Sequence, residues 1–192
     1  MAHYEAIVIG VSAGGLAAVI CLIKDLPKNY SLPIVIVQHR AKDEGQLLEQ
    51  VLQETCKAKI KQADEKELIV KGYIYIAPPD YHLLIENDRT LSLSHDSLVH
   101  YSRPSIDVLF ESAANVYTTS LIGIILTGAN EDGAEGVLAI RNKGGLTIAQ
   151  DPKEAAYPIM PQAAIDSGGV KYSWTIEKIT DFILNIDEAK QS

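Results

Sequence analysis

The chain has 192 residues, 47% of them hydrophobic and 22% charged, which are ordinary values for one globular domain, so we predict a single domain over residues 1–192. A net charge of −8 without any Lys/Arg cluster argues against binding to nucleic acid or to an anionic membrane surface. No apolar run approaches the ~20 residues that span a bilayer, and the N-terminus lacks signal-peptide features, so we expect a cytoplasmic protein without membrane insertion. Cys21 and Cys56 are too few for a disulfide framework and are expected to be buried or half-buried thiols.

Continuous apolar runs predict strands that are covered on both faces, because such strands show little polar alternation. They are Ala6–Ile9, Ile34–Val37, Leu121–Leu126 and Leu146–Ala149. Apolar residues at helical spacing predict helices around Leu16–Ile23, Leu47–Leu52, Ile106–Tyr117, Val137-Leu138 and Ile176–Ile183. Leu16 is expected on the core-facing stripe of the first helix, and Val137 and Leu138 are expected to turn inward. Ser105 is the expected N-cap of the third helix, and Gly144-Gly145 is expected to end the fourth.

Strand alternating with helix predicts an α/β fold of three αβα layers, with a doubly wound and mostly parallel sheet. The segment YIYIAPPDYHLLIENDRTLSLS (residues 73–94) breaks the alternation with three β-rich runs and no helix between them. Asn87-Asp88-Arg89 is typical of a hairpin turn. We therefore predict a short antiparallel hairpin on the otherwise parallel sheet.

The stretch GVSAGG (residues 10–15) follows the first predicted strand and has two interpretations. A dinucleotide-binding turn needs three glycines, but Ser12 stands at the middle one, and Gln38-His39 end the second strand where an acid should hold a ribose hydroxyl. The same letters also spell G-x-S-x-G, in which a sharp strand-to-helix turn exposes a nucleophilic serine. Because the middle glycine and the ribose-binding acid of a dinucleotide site are both missing, the sequence favours the serine nucleophile. A nucleotide-binding, Rossmann-like oxidoreductase remains the alternative.

His39 lies just beyond the second predicted strand, as Ser12 lies just beyond the first. Because catalytic groups gather at the carboxyl ends of strands in a doubly wound sheet, neighbouring strands would bring imidazole and hydroxyl together. A third group should orient the imidazole, and Asp132, Glu131 and Glu135 all follow the third predicted strand. Spacing alone does not choose among these acids.

Several segments together resemble the catalytic domain of the CheB-type chemotaxis protein-glutamate methylesterases. They are VIGVSAGG, VIVQHR, GYIYIAPPDYHLLI, YSRPSIDVLFESAA, GIILTGANEDGAEGVLAIRNKGGLTIAQD and MPQAAIDSGGV, in the family's order. The resemblance implies an ester hydrolase without a cofactor, in which Ser12, His39 and Asp132 form a catalytic triad. It also implies that the substrates are glutamate methyl esters on the cytoplasmic helices of chemoreceptors, with deamidation of receptor glutamines as a second activity in some members.

The chain departs from the family pattern at three places. Ala13 follows the nucleophile where threonine or a small residue is usual, and Ala129-Asn130 replace the common Met-Gly in a loop that the resemblance implies at the oxyanion hole. Many members carry a receiver domain ahead of the catalytic one, whereas the first strand here begins within a few residues of Met1. Any regulation is therefore expected to come from a separate partner or from expression, unless the sequence is a fragment of a longer protein. These departures leave a non-catalytic adaptor derived from the esterase as a further alternative.

Other polar residues carry weaker signals. His82 and Arg103 match family motif positions, where His82 is expected either to line the substrate pocket or to make a structural hydrogen bond, and Arg103 to pin a loop to a carboxylate. His3, His95 and His100 lack the mutual spacing of metal ligands, so we predict no metal.

Overall fold

A computed structural model of the chain describes residues 3–42, 45 and 47–191, with side chains as far as residue 186. The strands within these residues are β1 (Ala6–Val11), β2 (Ile34–Gln38), β3 (Lys59–Gln62), β4 (Tyr73–Ile76), β5 (His82–Ile85), β6 (Leu91–Ser94), β7 (Leu121–Ile125), β8 (Leu146–Gln150) and β9 (Tyr172–Trp174). The α-helices are α1 (Gly15–Ile23), α2 (Leu47–Thr55), α3 (Ile106–Tyr117), α4 (Ala134–Asn142), α5 (Ile159–Asp166) and α6 (Ile176–Gln191).

Seven strands form one parallel sheet in the order β3-β4-β2-β1-β7-β8-β9. Strand β1 pairs with β2 on one side and with β7 on the other, so that Val11 lies opposite Gln38 and Gly10 lies opposite both Val37 and Ile125. The connections therefore part at the carboxyl ends of β1 and β7, which is where ligands bind in open α/β sheets. The predicted doubly wound fold is confirmed, with helices on both faces of the sheet.

The two faces of the sheet bury separate apolar clusters, as the period-2 geometry of a strand requires. In β1, Ile7 and Ile9 pack into one cluster, together with side chains of α1 and α6. Ala6 and Val8, which alternate with them, pack into the other cluster with side chains of α3. Burial on both faces explains why the central strands are continuously apolar in the sequence.

The antiparallel hairpin of β5 and β6 is confirmed, and Asn87-Asp88-Arg89 lie in its turn. The hairpin does not extend the main sheet but forms a two-stranded sheet of its own. It packs on α3 instead, where Leu83 joins the same apolar cluster as Phe110 and Ile85 N donates to Ser112 Oγ at 3.1 Å.

Some expectations about individual residues are wrong. Leu138 is 36% exposed rather than turned inward, Leu16 of α1 is 39% exposed, and Cys21 lies on the surface because its position on α1 faces away from the sheet. The periodic pattern did not predict β3, β9 or α5, which the structure contains. In the described part of the chain, no helix combines the length and apolar character needed to cross a membrane.

Candidate active site

Ser12 follows β1 directly, in the tight turn that leads into α1. Its backbone N–H donates to Thr127 O at 3.0 Å, and its carbonyl accepts from Gly15 N at 2.9 Å. Gly14 has a φ of +73°, a backbone conformation that residues with a Cβ rarely adopt. Its glycine is thus explained by the turn itself, without a phosphate ligand. The turn, together with Gln38 and His39, lines an open pocket of about 490 Å³.

His39 continues the pairing of β2 with β1, because its N–H donates to Val11 O at 3.1 Å. The next residue, Arg40, is buried and forms a two-point ion pair with Glu49, with nitrogen–oxygen distances of 2.9 and 3.3 Å. Arg40 also donates to Ala77 O at 2.8 Å. These contacts tie the segment after β2 to α2 and to β4, and so hold the His39 backbone at the edge of the pocket.

The structure brings Ser12, His39 and Asp132 into one chain of contacts. His39 Nδ1 lies 3.1 Å from Ser12 Oγ, and His39 Nε2 lies 2.7 Å from Asp132 Oδ2. The His39 side chain is 12% exposed and that of Asp132 is fully buried. A carboxylate can only accept, so the hydrogen on Nε2 points to Asp132, and Nδ1 is left as an acceptor for the serine hydroxyl.

The start of α3 holds the Asp132 carboxylate in place. Oδ1 accepts from Ser105 Oγ at 2.9 Å and from Asp107 N at 3.0 Å, while Oδ2 accepts from Ile106 N at 2.7 Å as well as from His39. Burial by itself would raise the pKa of Asp132, but the hydrogen bonds from His39 and from the two amides lower it below its ordinary value. Asp132 is therefore an ionised carboxylate, held by two amides at the start of α3 that have no hydrogen-bond partner within their own helix.

Asp107 lies beside this carboxylate and has the opposite protonation behaviour. Its Oδ1 accepts from Gly136 N at 2.6 Å in the first turn of α4. Burial, reinforced by the negative charge of Asp132, raises the pKa of Asp107 to about 7. Asp107 thus binds the two helix starts together while it carries less negative charge near neutral pH than an exposed aspartate.

Close packing around Ile106 brings the start of α3 against the end of β1 and the loop that follows β7. A Cβ at Gly10 would clash with Ile106 Cγ2, and one at Gly133 would lie 2.9 Å from the same atom and 2.5 Å from Ile125 Cδ1. Gly133 also has a φ of +98°. Two glycines of the sequence motifs are therefore needed to let α3 reach Asp132.

Several backbone N–H groups near the pocket are already occupied. Besides Ser12 N, the Thr127 N–H donates to Gln150 Oε1 at 3.0 Å and the Gly128 N–H donates to Tyr157 O at 3.0 Å. Within the described residues, the amides of Ala13 and Gly14 donate to no other backbone group. The prediction of oxyanion donors at Ala13 and at the exposed Ala129 remains a prediction.

Two residues that match family motif positions have structural contacts. His82 is 1% exposed, its Nδ1 accepts from Ser105 N at 3.1 Å, and its Nε2 lies 3.0 Å from Ser97 O. Both ring nitrogens therefore already have partners within the protein, which fits the structural alternative, and a substrate contact of His82 remains a prediction. Arg103 binds Asp80 Oδ1 at 2.7 Å through Nη2, which confirms that it pins a loop to a carboxylate.

Of the three acids that sequence spacing left open, Asp132 contacts His39, whereas Glu131 and Glu135 are exposed. Among the residues that the structure describes, one group of potential metal ligands comes together: donor atoms of His100, Asp107 and Glu135 lie within 4.8 Å of one another. His100 Nε2 lies 3.2 Å from Asp107 Oδ2, which is an ordinary distance for a histidine–carboxylate contact. This contact needs no bound metal to explain it. The expectation of no metal stays a prediction.

A parallel α/β sheet with a serine, a histidine and a buried aspartate in contact beyond its carboxyl edge has the architecture of a serine hydrolase. The family model for the CheB methylesterases matches residues 7–183, and the chain belongs to this family of ester hydrolases. The family is not one of dinucleotide-dependent oxidoreductases, and it thus replaces the nucleotide-binding alternative.

Individual relatives agree with this assignment. A Leptospira interrogans protein, provisionally designated a protein-glutamate methylesterase/protein-glutamine glutaminase, is 50% identical over 187 residues, which cover 97% of this chain and 96% of that protein. The protein-glutamate methylesterase/protein-glutamine glutaminase of Pyrococcus horikoshii is 32% identical over 95% of this chain and 50% of its own length. The crystal structure of the Thermotoga maritima CheB methylesterase catalytic domain superimposes with a TM-score of 0.91 at 32% identity, covering 95% of this chain and 98% of that one.

Proposed function

We propose that the protein hydrolyses glutamate γ-methyl esters on the cytoplasmic helices of chemoreceptors, with Ser12 as nucleophile, His39 as general base and Asp132 as the orienting acid. The observation that carries the proposal is the position of His39, whose two ring nitrogens lie 3.1 Å from Ser12 Oγ and 2.7 Å from Asp132 Oδ2. The names of the relatives supply the class of ester.

The reaction begins when Ser12 Oγ attacks the ester carbonyl carbon and its proton moves to Nδ1 of His39. A C–Oγ bond forms, and the carbonyl π electrons become the oxyanion of a tetrahedral intermediate. The intermediate collapses by breaking the bond to the methoxy oxygen, which takes the proton from Nδ1 and leaves as methanol. Asp132 stays ionised throughout and stabilises the imidazolium, as its lowered pKa requires.

Water completes the cycle. It gives a proton to Nδ1 as it attacks the acyl-enzyme carbonyl, and the resulting intermediate breaks its bond to Ser12 Oγ, which takes the proton back. The glutamate side chain is released as a carboxylic acid. The open pocket beside Ser12 leaves room for a side chain that projects from a partner helix.

The deciding experiment measures methanol release from a methyl-esterified chemoreceptor cytoplasmic fragment. We expect wild type to release methanol, and Ser12→Ala and His39→Ala each to lose about 10³-fold or more in kcat, because the members of a triad act as a unit. Glu131→Gln is the matched control, since it alters an exposed acid next to Asp132. Equal release by all four proteins would contradict the triad, and receptor binding without any methanol release would favour the adaptor alternative.

A second activity is proposed because the relatives' names include protein-glutamine glutaminase. The same acyl-enzyme forms from a glutamine amide when Nδ1–H of His39 protonates the leaving nitrogen, so that ammonia departs in place of methanol. Ammonia release from an unmethylated receptor fragment, lost in Ser12→Ala, is the expected result. Methanol release without ammonia release would restrict the protein to esters.

A further inference from the structure

Asn130, in the loop between β7 and α4, has a polar side chain that contacts the site and that the triad does not use. It is half-buried, and its Nδ2 lies 3.3 Å from Nδ1 of His39, the same nitrogen that faces Ser12 Oγ. The common family pattern has glycine at this position, so the contact belongs to this chain's own sequence. Asn130 does not have a positive φ, so its side chain causes no backbone strain at this position.

The orientation of the Asn130 amide is determined by a neighbouring backbone group. Its Oδ1 accepts from Asp132 N at 3.3 Å, and a backbone N–H can only donate. The reverse orientation would place the amide NH₂ against that N–H, with two donors facing each other. Nδ2–H is therefore the group that faces His39, and it donates to Nδ1.

This hydrogen bond is compatible with only one stage of the reaction. In the resting site Nδ1 carries no hydrogen, and its single lone pair is shared between the Asn130 N–H and the Ser12 O–H. Once Nδ1 has taken the serine proton, it becomes a donor itself and no longer has a lone pair for Asn130. The Asn130 N–H then needs another acceptor at the moment when negative charge develops on the carbonyl oxygen attached to Ser12.

In the described part of the chain, the backbone around the pocket offers few free donors besides the amides of Ala13 and Gly14. Three amides around the pocket, those of Ser12, Thr127 and Gly128, already donate to protein oxygens. A side-chain amide can turn about its last torsion with little cost, because sp³–sp² torsions are broad. Donors aimed at the developing oxyanion are among the largest single contributions to catalysis of acyl transfer.

We propose that Asn130 is a further catalytic residue: its amide keeps Nδ1 of His39 as a hydrogen-bond acceptor in the resting site and donates to the oxyanion in the transition state. The inference rests on the proposed Ser12–His39 acyl transfer. It adds a side-chain donor to the backbone donors of the oxyanion hole.

Two substitutions separate the donor role from a structural role. Asn130→Ala removes the donor, and we expect kcat to fall by about 10²-fold or more with little change in KM. Asn130→Asp retains an oxygen toward Asp132 N but places an anionic acceptor beside Nδ1, which favours the protonated imidazole. We expect the pH at half-maximal kcat to move upward in this variant, in addition to a loss of rate.

The experiment uses the full chain and two independent readouts. Methanol release from the methyl-esterified receptor fragment gives kcat and KM, and mass spectrometry gives the rate at which a fluorophosphonate labels Ser12. Labelling forms an Oγ–P bond and expels fluoride while His39 takes the serine proton, and the phosphoryl oxygen occupies the oxyanion position. Thermal unfolding checks that each variant is folded, and Glu131→Ala serves as the neighbouring control because its exposed side chain lies outside the contacts of Asn130.

The two readouts distinguish failure of this inference from failure of the proposed function. A parallel loss of labelling and turnover in Asn130→Ala, absent in Glu131→Ala, is the expected result. Labelling that depends on Asn130 while the wild type fails to release methanol would reject the receptor ester and retain the role of Asn130. A folded Asn130→Ala with wild-type kcat and labelling, or an Asn130→Asp with an unmoved pH profile, would overturn the inference.

Discussion

Replacing Asp132 by asparagine tests the most tightly specified part of the site. Asp132 is fully buried and accepts four hydrogen bonds: from His39 Nε2, Ser105 Oγ, Ile106 N and Asp107 N. Asparagine has nearly the same shape but only one acceptor oxygen. Whichever way its amide turns, the NH₂ group faces a backbone N–H that can only donate.

The substitution should lower both the stability of the fold and the catalytic rate. One orphaned buried N–H costs about 1–3 kcal/mol of stability. If the NH₂ replaces Oδ2, it donates to His39 Nε2, the imidazole hydrogen moves to Nδ1, and Nδ1 no longer accepts the proton of Ser12. Forcing the wrong histidine tautomer in this way lowers kcat by about 10⁴-fold in a serine protease. The other orientation retains the tautomer but removes the negative charge that stabilises the imidazolium.

We therefore expect Asp132→Asn to lose about 10³-fold or more in methanol release while the free energy of unfolding falls by about 1–3 kcal/mol. Steady-state kinetics and urea unfolding measure the two quantities on one preparation. Glu131→Gln is the matched control and should change stability by no more than about 0.5 kcal/mol. A folded Asp132→Asn enzyme within about tenfold of wild-type kcat would refute the role of this carboxylate.

Three further predictions test the scaffold. Gly133→Ala should lower the free energy of unfolding by about 1–2 kcal/mol for its positive φ and by about 1–3 kcal/mol more for overpacking. Gly168→Ala, with a φ of +77° and open space around it, should show only the first of these losses in urea unfolding. Equal losses in the two variants would contradict the packing argument. Because the pKa of Asp107 is higher in the folded than in the unfolded chain, the folded state binds more protons at this carboxyl, and the contribution of Asp107 to stability should fall as the pH rises from about 4 to about 7. Asp107→Asn should therefore gain stability relative to wild type as the pH rises from about 4 to about 7, and a constant difference would contradict this. Arg40→Ala leaves the buried Glu49 carboxylate without its partner and should destabilise the fold by about 3–5 kcal/mol. The double variant Arg40→Met, Glu49→Leu should recover most of this loss. A wild-type unfolding midpoint for Arg40→Ala would show that the ion pair is not needed.

The sequence predicted the central strands well because burial on both faces leaves a local mark, a continuous apolar run. The edge strands carry no such mark. Residues of β3 are exposed or half-buried along the strand, and those of β9 are mostly exposed, so their pairing was not visible from periodicity. Helix α5 begins after Pro158 and contains Pro161, which weakened its helical pattern.

Ser12 and His39 were predictable as neighbours because strand ends are local features and parallel strands present those ends at one edge. The choice of Asp132 over Glu131 rested on a family resemblance, and the structure shows the physical difference between them. Asp132 points at the first turn of α3, whose Ile106 and Asp107 amides have no partner within their own helix.

The sequence by itself determined the α/β class, the order of the central elements and two of the residues that meet at the pocket, because period and turn chemistry act over a few neighbouring positions. Only the tertiary structure decided which acid meets His39, that His82 is buried, and that Asn130 lies against the nitrogen that receives the serine proton. These contacts join residues about 15–90 positions apart in the chain. They arise from the pairing of β1 with β7 and from the packing of α3 against glycines, which no local pattern records.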